Sequence, residues 1–188
     1  MRKAILAFSL LGLVGLQSGC TTHAGSDVVL FPKDKGAKIV TKSSQFDEMA
    51  GNSENYLGHE LKIAGAVVSI DQTAEGYLVL ARWLPYPKTT NVDQPPRGGQ
   101  TDDLRHFLIR FVGQRETKFY TTRGNKFLLE GTVAGTKRAL VNVFGPKQNL
   151  LYVNTKCVKI WETGEDEGSD SERDVEYPPI RRRTLCAD

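Results

Sequence analysis

The sequence predicts an all-β protein: a small barrel of five or six strands, preceded by a short helix and flanked by flexible ends. Three observations point there. Leu61 and Ile63 alternate with Glu60 and Lys62, the period-two pattern of a half-buried strand. Gly76–Leu84 sets Tyr77, Val79, Ala81 and Trp83 against Leu78, Leu80 and Arg82, and Arg105–Phe111 sets Phe107, Ile109 and Phe111 against His106, Leu108 and Arg110. The alternating runs are short, and segments rich in Gly, Pro and Asn separate them. The first run changes character at Gly65, beyond which Val67, Val68 and Ile70 offer apolar groups to both faces. A glycine at such a switch marks a bulge or sharp bend, and a strand that bends to serve two sheets suits a small barrel.

Taken in order, Ser43 or Ser44 caps a helix running through Ala50, with Phe46 and Met49 on its buried face and Gly51-Asn52 ending it. The strand through Gly65 follows, then a turn at Gln72–Glu75 and the strand Gly76–Leu84. Pro85–Thr101 reads as a long surface loop. Arg105–Phe111 is the third strand, and Gly113–Asn125 a second loop. Lys126–Ala134 and Arg138–Phe144 read as a hairpin turning at Gly135-Thr136-Lys137. Leu150–Trp161 is the last strand, with Trp161 expected to close the core and Glu130 to face solvent.

The ends differ from the middle. Met1-Arg2-Lys3 precedes an uncharged apolar run, Ala4–Leu16, too short to span a bilayer comfortably but suited to a secretory signal. Leu16-Gln17-Ser18-Gly19-Cys20 resembles the bacterial lipobox, although Gln17 stands where such signals carry an aliphatic residue. That resemblance implies cleavage after residue 19, diacylglycerol on the Cys20 thiol and a second acylation of the new amino terminus. Thr21, in place of the aspartate of inner-membrane lipoproteins, directs the expectation to the outer membrane. Residues 20–42 form a tether, 43–161 the barrel domain, and 162–188 a tail without structure, acidic first and then basic at Arg181-Arg182-Arg183. The arginine run reads as a solvated tail beside its acidic neighbour, or as a contact for anionic head groups.

The middle of the chain resembles the Slp family of starvation-inducible outer-membrane lipoproteins. The segments that carry the resemblance are Tyr56-x-Gly58, Ala64-Gly65-x-Val67, Leu84-Pro85, Pro95-Pro96, Arg105-His106-Phe107-Leu108, Tyr120, Gly131-Thr132-Val133-Ala134-Gly135, Leu151-Tyr152-Val153-Asn154 and Val158-Lys159-Ile160-Trp161. Ala64 replaces a glycine of the family's usual pair, and the tail is acidic rather than aromatic. The resemblance implies an OB-like barrel, an outer-membrane address with a periplasm-facing domain, and no catalytic residues.

Chemistry is sparse. The chain has no Gly-x-Ser-x-Gly elbow, no phosphate-cradling glycine loop and no His-Glu-x-x-His. Its three histidines, His23, His59 and His106, are scattered, and Asp102, Asp103 and His106 read as a loop-end hydrogen bond. The expectation is therefore no enzyme, no cofactor and no metal. Formal charge is +3, and taking away Arg2 and Lys3 with the signal leaves +1, which excludes bulk capture of nucleic acid. Cys157 and Cys186 either pair in an oxidising periplasm or leave Cys157 as a small buried apolar residue.

Two functions remain. One is a structural or interaction role in the cell envelope, tied to stress, with the outer membrane engaged through the lipid anchor and an envelope protein or glycan as partner. The other is a binding module that takes an envelope oligosaccharide, lipid or oligonucleotide on the face formed by Trp83, Tyr86, Phe119, Tyr120 and Arg123. Arg82 and Arg115 lie nearby in sequence, and aromatic faces beside guanidinium groups suit stacking on sugars or bases.

Overall fold

A computed structural model of the chain describes residues 36–74, 76–88, 94–98, 104–111, 122–164 and 180–186. The signal segment, Cys20 and residues 21–35 lie outside the described residues.

The strand containing Gly65 is the hub. It is β2 (Glu60–Thr73), after β1 (Lys38–Ile39) and the helix α1 (Ser43–Gly51). Residues 60–66 pair antiparallel with β5 (Lys126–Ala139), and residues 64–73 pair with β3 (Gly76–Leu84). Ala64, Gly65 and Ala66 thus have neighbours on both edges. A Cβ on Gly65 would lie 2.7 Å from the Phe127 ring and 2.8 Å from the Arg82 carbonyl oxygen, so this position requires glycine for closeness. The bulge itself comes slightly later, between Val67 and Ser69.

From β3 the sheet continues antiparallel to β4 (His106–Phe111), which pairs parallel with β6 (Gln148–Trp161); β6 pairs antiparallel with β5, and β5 returns to β2. The ring of five strands is closed, an OB-like barrel. Closure removes the open edges that five isolated strands would expose.

Alternation fills the interior from Leu61, Ile63, Val79, Ala81, Trp83, Phe107, Ile109, Phe127, Leu129, Val153, Val158 and Ile160. Helix α1 adds Phe46, whose ring stands 5.9 Å from Trp83 and 6.0 Å from Phe107, and Met49 beside it. Its start is held by Gln45, whose side-chain oxygen accepts the Thr41 and Lys42 amide N–H groups at 2.9 and 3.0 Å. Asp47, midway along the helix, takes the Arg105 guanidinium in a two-pronged pair at 2.6 and 2.8 Å.

The helix cap is Lys42 rather than Ser43 or Ser44, both of which lie inside the helix, and the structure differs from the sequence reading in three larger places. The hairpin does not turn at Gly135-Thr136-Lys137. β5 runs through to Ala139, and Gly135, at φ 101°, sits at a register shift inside it; the connection is residues 140–147. A left-handed glycine makes a bulge as readily as a turn, and here the pairing with β6 continues past it.

The tether ends sooner than residue 42. β1 pairs parallel with β2, and Val40 is fully buried with its N–H donating to the Lys62 carbonyl at 2.9 Å. Nor is the tail structureless throughout 162–188. Arg182–Cys186 forms β7 on β6, and Cys157 and Cys186, opposite each other in register, are joined by a disulfide. β4 occupies that side of β6 only at Leu151–Asn154, which leaves the edge at 157–161 open for β7. Composition hid this strand because its side chains are mostly exposed.

Candidate functional site

Trp161 ends β6 on the outer face of the barrel, although no part of it is exposed. It packs with Ala64, Ala66, Leu84 and Leu128, a cluster separate from the interior, and Tyr86 lies against them. Charges are buried on the same outer face. Glu130 is 3% exposed and faces the Lys62 ammonium at 3.8 Å; Lys159, equally buried, places its ammonium 5.4 Å from the Trp161 ring. Glu130 is therefore not on a solvated face as its strand position implied. Alternation correctly turns it out of the barrel, and outward here means covered.

Tyr86 links this cluster to a cleft. Its backbone N–H donates to the Val40 carbonyl at 3.2 Å, which ties the segment after β3 to the chain after β1. Burial, with the Glu130 charge adding to it, pushes the Tyr86 hydroxyl up to about 12. Around it opens a cleft of about 400 Å³ whose walls bring Thr41, Pro85, Tyr86 and Pro87 together with Gln94, Pro95, Pro96 and Gly98. Lys88 and Arg97, both exposed, bring two cations to it. Proline fixes φ and carries no N–H, so these walls are stiff and present ring faces rather than donors. Such a surface suits flat or apolar ligand faces that carry an anionic group.

The sequence-predicted face is only partly assembled. Trp83 is 3% exposed, points into the barrel and packs on Phe46, so it offers no ligand surface. Its position shares the parity of Val79 and Ala81, which places it inward; nearness to the loop in sequence did not bring it to the mouth. Tyr86 lines the cleft. Arg123 is exposed in the turn before β5 and is not among the residues lining the cleft. Phe119, Tyr120 and Arg115 lie outside the described residues, as do Asp102 and Asp103. The His106 Nδ1 meets the Leu104 carbonyl, for which that nitrogen must carry the proton. Missing from the sequence reading were Pro87, Lys88, Pro95, Pro96 and Arg97 as one wall-and-cation set. Their signal was the proline density of 85–96, read as loop punctuation alone.

Among the described residues no cluster of His, Cys, Asp and Glu could hold a metal ion, and no helix is long and apolar enough to cross a membrane. The fold and cleft define a small OB-like barrel with a proline-walled cleft beside Tyr86. No family model, no curated protein and no solved structure matches the chain.

Proposed function

We propose that the protein is a lipoprotein anchored through Cys20 to the outer membrane, where the barrel faces the periplasm and has a structural or interaction role in the envelope. The observation that carries this is the order basic start, apolar run Ala4–Leu16, then Ser18-Gly19-Cys20. The Cys157–Cys186 disulfide supports it, because disulfides persist in oxidising compartments. The resemblance to the Slp family points the same way, and an OB-like barrel is the fold that resemblance implies. Two or three acyl chains at about 0.8 kcal/mol per buried CH₂ would hold the domain durably. Labelling cells with radioactive palmitate tests the anchor: the parent chain incorporates label and Cys20→Ser does not. Label retained in Cys20→Ser would refute it.

A second reading has its own observation, the cleft at Tyr86 with Lys88 and Arg97. In it the barrel takes an anionic envelope oligosaccharide or lipid head group between proline and tyrosine rings. Nucleic acid fits less well, given a formal charge near neutrality. Titration with peptidoglycan fragments, lipopolysaccharide sugars and short oligonucleotides tests it. Saturable binding lost in Arg97→Ala would favour this reading, and no binding to any of them would leave the anchored interaction domain.

A further inference from the structure

The connection between β5 and β6 contradicts the usual chemistry of a turn. The Asn142 side-chain oxygen accepts the Phe144 N–H at 3.1 Å, and the Asn142 carbonyl accepts the Gly145 N–H at 3.0 Å, which makes residues 142–145 a tight turn. Turn corners favour Gly, Asn, Asp and Pro, yet Val143 and Phe144 occupy them. They are 84% and 96% exposed, and Leu140 just before them is 48% exposed. The root of the same connection behaves normally, since Ala139 and Val141 pack on an outer cluster of Leu80, Leu108 and Leu150. The apolar tip thus contributes nothing to the packing of the domain while projecting from a hairpin that is firmly seated.

Charge identifies what covers it. Residues 131–161 contain no Asp or Glu, and Lys137, Arg138 and Lys147, all exposed, flank the tip. An aromatic and aliphatic wedge within a cationic collar is complementary to the interface of an anionic bilayer, where apolar side chains enter the acyl boundary and ammonium and guanidinium groups meet phosphates. The topology also favours it. β1 runs parallel to β2, and β5 continues past the Glu60 end of β2 towards the tip; the chain therefore enters the barrel from the end at which the hairpin projects. We propose that the β5–β6 tip, through Val143 and Phe144 with Lys137, Arg138 and Lys147, is a docking point for a membrane surface rich in anionic phospholipid. This goes beyond the acyl anchor, and places a second, folded contact on the bilayer.

The test uses the full chain carrying Phe144→Trp together with Cys20→Ser, so that no acyl group contributes and failure of the anchor proposal leaves the result unchanged. Trp83 and Trp161 are buried and give a constant background. The chain is mixed with phosphatidylcholine vesicles with or without phosphatidylglycerol, one set bearing brominated acyl chains. With phosphatidylglycerol present, the new indole shifts to the blue and is quenched by the bromine. Adding Lys137→Gln, Arg138→Gln and Lys147→Gln raises the lipid needed by about a hundredfold, since each such cation is worth about fivefold at an anionic surface. No shift on phosphatidylglycerol vesicles would overturn the proposal. So would insertion that ignores the three cations, or a blue shift that rises with protein concentration in the absence of lipid, which would mean that a second copy covers the tip.

Discussion

The two tryptophans sit on opposite faces of the same barrel wall, and both are buried. Trp83 is inside, against Phe46 of α1 and within the apolar interior cluster; Trp161 is outside, among Ala64, Ala66 and Leu128, with Lys159 over its ring and the Glu130–Lys62 pair on the same face. The inner region is built of interlocking apolar side chains. The outer region mixes apolar cover with buried charge, an arrangement that costs desolvation and is kept only where groups are closely matched. A small barrel can therefore have a second packed layer on its outer surface, and here that layer adjoins the cleft.

The largest expected effect tests the wall between the two layers. A Cβ on Gly131 would run into the Asn154 backbone carbonyl and lie 2.9 Å from a Val153 methyl, so Gly131→Val forces β5 from β6. A loss of about 3 kcal/mol or more is expected from chemical denaturation. An unchanged midpoint would mean that the β5–β6 pairing is looser than described.

Next is the disulfide, which fastens β7 beside the outer layer. The two cysteines are 29 residues apart, and closing a loop of that size is worth about 3.6 kcal/mol in the chain-entropy account. Reduction should lower the melting temperature and release β7 amides to hydrogen exchange, while β2 to β4 stay protected. Equal loss of protection everywhere would show that the inner core depends on β7.

The buried phenol gives a pH signature confined to the outer layer. The folded Tyr86 value, about 12, lies above the ordinary 10, so the stability it contributes is complete below pH 10 and is lost as pH rises towards 12. Tyr86→Phe should remove that component of alkaline unfolding. In Glu130→Gln the Tyr86 value should fall but remain above 10, because burial is the larger cause.

The smallest effect lies where α1, whose Phe46 and Met49 cap the inner layer as a plug, meets Arg105. The Arg105 hydrogen bond holds the Asp47 carboxyl below its usual 3.8. Its contribution is present above pH 4 and lost as pH falls below that, and exposed pairs of this kind are worth under about 1 kcal/mol. A double-mutant cycle of Asp47→Asn and Arg105→Gln measures it. A coupling several times larger would place the pair inside the plug rather than on its rim.

Much of the inner region was legible because strand alternation is a direct consequence of backbone geometry. Parity alone puts Val79, Ala81 and Trp83 on one face, and Phe46 and Met49 on one side of a helix. The outer region was not, because parity says which residues face outward and nothing about what lies over them. Glu130 was misjudged for that reason, whereas Trp161, expected to close the core, is buried as expected but on the outer face, because Val158 and Ile160 take the inward positions of β6. Gly135 shows a related ambiguity: a glycine signals a backbone excursion, and long-range pairing decides whether the strand ends there. β7 was hidden in an arginine-rich stretch whose pairing depends on an edge left open by β4. The cleft was half legible, since its prolines were conspicuous while their convergence with Thr41 and Tyr86 is a tertiary fact.

The outer layer is most directly tested by making Trp161 the sole reporter through Trp83→Phe. If the outer face is a covered second core, the emission of Trp161 is blue-shifted and resists quenching by acrylamide, since the side chain is fully buried. Red-shifted emission, quenched as readily as free tryptophan in a folded domain, would contradict the account.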